Sequence, residues 1–461
     1  MAKSTGLRVC KFGGTSMADA QAVGQVCDIV MADPARRIVV VSAPGKRHRD
    51  DAKVTDLLIQ CAEHKLSGRA YGEQVEAIVK RYADIAAALG VTEGVSEEIA
   101  QDLWRRIETP CSSRAAFLDL MKAAGEDNSA KLAAAILRAR GCDAQYVNPG
   151  EAGMRLSADF GNAQLLTESY RQLEDLRKRK GVLVVPGFFG YTPAGEVVTF
   201  PRGGSDITGA ILAAAVHADM YENFTDVDSV FAADPRIVQN VRAIPELTFR
   251  EMRELAYAGF SVLHEEAIIP AVRAGIPIFV KNTQRPHLPG TKIVARHEQA
   301  ASSRVVGIAS SDGFCTLYVS KYLMNREIGF GRRLLQILEE EGLSFEHTPS
   351  GIDNMSVIVR EATLGAEKEQ RVIARIRGEL DADDVDVERG LALVMIVGEG
   401  MRYAVGMAAK ATGALSAAGV NIEMMNQGSS EISMMFGVKA EDRTRAVKAL
   451  YPAFFGETER T

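Results

Sequence analysis

Three stretches of this 461-residue chain carry residue types suited to charged small molecules. The first is Lys11-Phe12-Gly13-Gly14-Thr15-Ser16, directly after the apolar run Leu7 to Cys10. A strand that runs into Gly-Gly and then Thr-Ser before a helix builds an anion cradle. The glycines let backbone N–H groups approach oxygens closely, and a hydroxyl-capped helix N-terminus favours negative charge. Lys11 would set a point charge against a transferred phosphoryl group. Without a ligand, the same run is only a tight strand–helix turn. It is not a Walker loop: Gly45-Lys46 is followed by Arg47, and no glycine sits five residues before Gly45. No G-x-G-x-x-G leads into a helix either, which disfavours a dinucleotide site.

The second stretch is Arg202-Gly203-Gly204-Ser205-Asp206, followed by helical Ile207 to Ala218. A Gly-Gly pair again meets a helix N-terminus, now between opposite charges. The guanidinium suits a carboxylate and the Asp an ammonium, so the pair fits a zwitterion. The plainer account is an Asp N-cap beside an incidental Arg. The third stretch is Thr225-Asp226-Val227-Asp228-Ser229-Val230-Phe231-Ala232-Ala233-Asp234-Pro235-Arg236. Its Asp can accept from ribose or purine donors, Phe231 can pack on a base, and Arg236 can reach phosphates. Taken alone it reads more simply as a surface hairpin. His264-Glu265-Glu266-Ala267-Ile268 fails as a zinc motif, because residue 268 is not His.

Such loops need a scaffold. The first 300 residues alternate β-branched runs (Arg37 to Ser42, Val182 to Pro186, Ile276 to Lys281) with helical stretches such as Ser129 to Arg140. That alternation, with continuously apolar strands, predicts a mainly parallel sheet covered by helices on both faces. The polar stretch His297 to Ser303 reads as a linker. Beyond it the sequence repeats: Met324 falls on Met401, Gly329 on Gly406, Gly342 on Gly419, Glu346 on Glu423, Gly351 on Gly428 and Ser356 on Ser433, all at one offset. In each copy a helix ends at a glycine (Gly342, Gly419). Strands are expected at Leu343 to Glu346 and Val420 to Glu423, then at Met355 to Val359 and Ile432 to Val438. One α/β unit present twice is the simplest reading.

The bulk numbers bound the class. A hydrophobic fraction of 47% and a charged fraction of 25% are ordinary for a globular protein. A net charge of −6 argues against a duplex-binding surface, and no run approaches the length of a membrane helix. Six scattered cysteines without Cys-x-x-Cys spacing, and an N-terminus without a signal-peptide core, predict a cytoplasmic protein with reduced thiols.

Together KFGGTS, the SAPGK…VTDLL stretch (Ser42 to Leu58), Gly125-Glu126, RGGSD, TDVDSVFAADPR and VLH…IPAVRAGIPI resemble the aspartokinase family, in its order. The C-terminal repeat resembles its paired ACT modules, most closely at Asn426 to Val438. The resemblance implies an amino-acid kinase fold over 1–300, then two ferredoxin-like βαββαβ ACT modules over 301–385 and 386–461. It allows for an interleaving in which the C-terminal segment completes the first module. It implies an enzyme that phosphorylates the β-carboxylate of L-aspartate with ATP and Mg²⁺, giving 4-phospho-L-aspartate, under feedback by lysine and/or threonine. Lys11 and Asp206 would be catalytic. Lys11, Gly13, Gly14, Ser42, Thr225, Asp226, Phe231, Arg236, Ser261 and Val262 would hold ATP. Thr55, Glu126, Arg202, Gly203, Gly204 and Ser205 would hold aspartate. Met324, Ile328, Gly329, Ser344, Phe345, Asn421 and Ile422 would hold the effector. No protein metal site, nucleic acid or membrane is implied; a homodimer or higher homo-oligomer through the ACT modules is. The chain departs from the family in carrying Phe231 where Tyr is common, and Ser261 where some members have Lys. Two alternatives stand beside this reading: another amino-acid kinase, such as a glutamate kinase, and a sensor that binds without turnover.

Overall fold

The computed structural model describes residues 6–91, 94–260, 265–297, 305–402, 404–428 and 432–456. It divides into two compact units. The first comprises Met1–Val230, Ala243–Met252 and Ser261–His297; the second comprises Phe231–Arg242, Arg253–Phe260 and Glu298–Thr461.

The strands of the first unit are β1 (Arg8–Phe12), β2 (Arg36–Val41), β3 (Ala144–Tyr146), β4 (Val182–Pro186), β5 (Phe189–Tyr191), β6 (Val197–Thr199), β7 (Met220–Thr225), β8 (Glu246–Thr248), β9 (Ile278–Asn282) and β10 (Thr291–Val294). Eight of them form one sheet in the order β3-β4-β2-β1-β7-β9-β10-β8. Every neighbouring pair is parallel except β9 with β10. β5 and β6 form a separate antiparallel ribbon. The helices up to residue 273 are α1 (Ala20–Met31), α2 (Val54–Leu66), α3 (Gly72–Ala88), α4 (Val95–Glu108), α5 (Arg114–Ala139), α6 (Pro149–Ala152), α7 (Ser169–Leu173), α8 (Gly204–Ala215), α9 (Phe249–Tyr257) and α10 (Ile269–Arg273).

The apolar strands behave as a parallel sheet requires, with Val39, Val40 and Val41 all buried. Lys11 and Phe12 belong to β1 rather than following it, and because β1 lies between β2 and β7 both are buried. The helix expected over 129–140 is the second half of α5. From Ala123 to Asp127 and on to Ala130 this helix is buried on all sides, so it carries Glu126, Asp127, Asn128 and Ser129 into the interior.

The second unit contains β11 (Gly307–Ser320), β12 (Asn354–Arg360), β13 (Asp384–Val397), β14 (Met424–Asn426) and β15 (Ser433–Lys439). Its helices are α11 (Phe330–Glu340), α12 (Ala366–Leu380), α13 (Met407–Ala417) and α14 (Arg443–Phe455). All five strands form one antiparallel sheet, β12-β11-β13-β15-β14. The repeat is visible in the elements: β13 starts 77 residues after β11 (384 against 307), α13 after α11 (407 against 330) and α14 after α12 (443 against 366). Two apolar cores follow. One gathers Leu317 and Val319 of β11 with Leu334, Val357 and Ile376. The other gathers Ile308, at the start of β11, with Val394, Leu415, Phe436 and Leu450. β11 and β13 therefore each serve both cores, one half apiece.

The strands expected at Leu343 to Glu346 and Val420 to Glu423 do not form there. Gly342 and Gly419 leave their helices at φ 65 and 64. The next N–H then closes back on the helix, Leu343 to the Leu338 carbonyl (2.8 Å) and Val420 to the Leu415 carbonyl (3.0 Å). Those donors are spent, so pairing with a neighbouring strand starts only at the last residue of each expected strand, Glu346 to the Ile358 carbonyl (2.8 Å) and Glu423 to the Gly437 carbonyl (2.9 Å), and the ladder continues at His347 and at Met424 of β14. Among the described residues, no helix is long and apolar enough to cross a membrane.

Candidate active site

Four parallel strands of the first unit end side by side: β1 at Phe12, β2 at Val41, β4 at Pro186 and β7 at Thr225. In an open α/β sheet this edge is where ligands bind. The loops after β1 and β2 meet through glycine. The Gly45 N–H donates to the Gly14 carbonyl (2.8 Å), and a Cβ on Gly45 would lie 2.7 Å from the Gly14 carbonyl carbon. No side chain fits there, so the two backbones stay in contact. The Val54 N–H donates to the Pro44 carbonyl (3.1 Å), which starts α2 on the same loop and sets Thr55 in its first turn. Thr15 and Ser16 do not cap α1 as expected. They lie in a 3₁₀ turn, Asp19 caps α1 through the Ala22 N–H (2.9 Å), and Ser16 bonds Thr283 (2.7 Å).

The loop after β4 joins this edge, with the Gly187 N–H on the Val41 carbonyl (3.0 Å). Next to it Phe188 has φ 74, a conformation that bulky residues rarely take and that clusters at functional sites. Its N–H donates to Thr208 Oγ1 (3.0 Å), and a Cβ on Gly204 would come within 2.5 Å of its ring. Gly204 thus packs against Phe188 at the start of α8. Arg202, just before it, is exposed.

Gly203 is the N-cap of α8, so Asp206 sits inside the first turn and does not cap the helix. Its carboxylate meets Lys11 (Nζ to Oδ1, 2.8 Å). Asn223 of β7 donates to the same oxygen (2.6 Å). Glu126 lies on α5, behind the loop after β2. Burial pushes its carboxyl up to about 8, although a hydrogen bond from the Ala43 backbone lowers it. Its Oε2 is buried without a hydrogen-bond partner among the described residues. A cleft of about 460 Å³ opens beside these loops, bounded by Thr15, Ser16, Lys46, Arg47, Thr225 and Asp226.

Lys11, Gly13, Gly14, Ser42, Thr55, Glu126, Gly203, Gly204, Ser205, Asp206, Thr225 and Asp226 all belong to the first unit, and Lys11 and Asp206 are in direct contact. Phe231 and Arg236 belong to the second unit, where the Arg236 guanidinium is taken by Asp234 (2.8 Å). Ser261, Val262 and His264 lie outside the described residues. Within the second unit, Ile328 and Gly329 precede α11, whereas Ser344 and Phe345 follow it. An 11-residue helix spans roughly 16 Å, so one chain does not gather these residues at one point. Met324 is buried in the core, while Asn421 is exposed just beyond α13. Sequence reasoning missed Asn223 and Phe188. The signal for Asn223 was the polar pair Glu222-Asn223 inside a buried strand; for Phe188 there was only a glycine after a strand.

The amino acid kinase family model matches residues 6–282, and an ACT domain model matches residues 394–454. Aspartokinase 3 of Bacillus subtilis is 55% identical over 449 residues, covering 97% of this chain and 99% of that protein. The crystal structure of Clostridium acetobutylicum aspartate kinase superposes with a TM-score of 0.86 at 37% identity, over 97% of this chain and 100% of that one. Escherichia coli aspartokinase III matches at 29% identity in two complexes. With aspartate and ADP the TM-score is 0.76, over 97% of this chain and 100% of that one; with lysine and aspartate it is 0.77, over 98% and 100%.

Proposed function

The chain belongs to the aspartokinase branch of the amino acid kinase family, and on that premise we propose that the edge where β1, β2, β4 and β7 end is where it phosphorylates aspartate. It is an aspartate kinase; the glutamate kinase and the silent sensor fall away with that membership. In this reading Gly13, Gly14 and Ser42 offer groups to the ATP phosphates. Thr225 and Asp226 line the nucleotide side of the cleft, with Phe231 and Arg236 assigned there by family likeness alone. Thr55, Arg202, Gly203, Gly204 and Ser205 hold aspartate, the guanidinium taking its α-carboxylate in a fork.

The observation that carries this reading is the buried, unpartnered Oε2 of Glu126. A carboxyl held at about 8 is mostly neutral at pH 7 and becomes a strong acceptor once an ammonium group arrives. Asp206 is already engaged by Lys11 and Asn223, so Glu126 is the better seat for the ammonium of aspartate. The β-carboxylate is ionised at neutral pH and needs no general base. It attacks the γ-phosphorus in line, the bond from that phosphorus to the β–γ bridging oxygen breaks, and the products are an acyl phosphate and ADP. Lys11 and the backbone N–H groups of the first loop stabilise the charge of the transferred group. Mg²⁺ bound on the ATP phosphates supplies further charge neutralisation.

The effector is proposed to be lysine and/or threonine, because an E. coli relative was solved with lysine and the chain carries an ACT match. The expected effector residues of the first repeat copy lie at opposite ends of α11, and Asn421 and Ile422 follow α13, which supports a composite site completed by a second copy. All six cysteines are free, in keeping with a reducing cytoplasm. The test is ADP release in the presence of aspartate, with glutamate as control, from pH 6 to 9. KM for aspartate should fall as pH rises towards 8, because binding expels the Glu126 proton. A flat KM would remove Glu126 from the site. Sedimentation with and without lysine tests the second copy; an unchanged monomer would remove it.

A further inference from the structure

Lys11 and Asn223 are direct register partners across β1 and β7, so their side chains leave the sheet together. Both are buried, at 8% and 1% exposure. Asp206 reaches them from the first turn of α8, and the three form a closed triangle. Lys11 Nζ lies 2.8 Å from Asp206 Oδ1, Asn223 Nδ2 lies 2.6 Å from the same oxygen, and Asn223 Oδ1 lies 3.5 Å from Lys11 Nζ. We propose that Asn223 is a positioning residue for phosphoryl transfer: its amide holds Asp206 in place while Lys11 moves from that carboxylate to the transferred group. The proposal rests on the reading of Lys11 given above.

An ammonium paired with a buried carboxylate is not free to serve a phosphoryl group, and a carboxylate stripped of its partner would stand uncompensated beside incoming phosphates. A carboxamide is both donor and acceptor and carries no charge. Asn223 can therefore keep bonding Asp206 after Lys11 departs, without attracting Lys11 as a second carboxylate would. An apolar side chain at 223 would leave Asp206 dependent on Lys11 alone and hold the lysine back. An Asp at 223 would add negative charge next to the phosphates.

The experiment uses the full-length enzyme and an aspartate-dependent ADP-release assay. Asn223→Leu keeps the branching and the number of side-chain heavy atoms and removes both hydrogen bonds. We expect kcat to fall about tenfold, with KM for ATP and for aspartate within about twofold, because the interaction matters only as Lys11 changes partners. Asn223→Asp should fall further. Thermal melts of both variants report folding. The double variant Lys11→Ala/Asn223→Leu should be no slower than Lys11→Ala alone, since Asn223 acts through Lys11. A folded Asn223→Leu enzyme with kcat within twofold of the parent would overturn the proposal. Losses that multiply in the double variant would also overturn it, by showing a role independent of Lys11. If Lys11→Ala itself keeps its kcat, the reading of the whole site fails, which the Asn223 data alone would not reveal.

Discussion

Glu222 and Glu126 are both buried glutamates of the first unit, yet their surroundings are opposite. Glu222, in β7, is bracketed by Arg36 (2.7 Å), Arg8 (3.5 Å) and Lys281 (3.8 Å), and accepts from Cys10 (3.3 Å). Burial alone would push its carboxyl up, but the bonds and charge of Arg36 outweigh that and hold it below the usual range. Among the described residues no cation stands against Glu126. Burial dominates, its carboxyl sits at about 8, and one oxygen has no partner. Glu222 thus carries a compensated buried charge, costly to break on one side only, whereas Glu126 is kept mostly neutral at pH 7 by its burial.

Breaking the compensated site should have the largest effect. Glu222→Gln leaves Arg36 buried without its counter-charge and should cost about 3–5 kcal/mol of stability, read as a fall in the midpoint of urea unfolding. A loss under 1 kcal/mol would mean that the network is not compensation at all. Lys11→Ala is next. It should lower kcat by about 10²–10³ with a much smaller change in KM, as for removal of one preorganised donor.

Glu126→Gln sharpens the contrast, because stability and binding should move in opposite directions. KM for aspartate should rise about 10–100-fold. Between the ordinary carboxylate pKa and about 8, the unfolded chain has lost the Glu126 proton while the folded chain keeps it. Stability is therefore lost as pH rises through that window, and the amide removes the loss. The variant should melt higher than the parent at pH 8 by roughly 2–8 °C and nearly equal to it at pH 5. A lower melting point at pH 8 would erase the distinction between the two glutamates. Arg202→Lys should have the smallest effect. The charge remains and the fork is lost, so KM for aspartate should rise about tenfold with little change for ATP. An ATP-specific defect would put the second Gly-Gly loop on the wrong substrate.

Much of this was legible in the sequence where the signal was local. β4 runs from Val182 to Pro186 as its apolar run predicts, and the matched glycines Gly329 and Gly406 mark the starts of α11 and α13. The strands expected at 343 and 420 were misplaced because a helix exit that bonds back to its own last turn looks, in sequence, like the start of a strand. Asn223 was only half visible: the polar pair Glu222-Asn223 in a buried strand marks the position but not its partners. Its partners, Lys11 and Asp206, are brought to it by strand pairing and by a helix start, and neither leaves a mark at position 223 itself.

The sharing of β11 and β13 has a consequence for engineering. A duplicated module is usually treated as a part that can be swapped, deleted or expressed alone. Here a cut at the repeat boundary before Asp384 would strip β13 from the first core, and the piece beyond the cut would lack Ile308 of β11. Neither piece could close its apolar interior. The two copies descend the chain as repeats but stand or fall as one cooperative block, so grafts into this region must carry both.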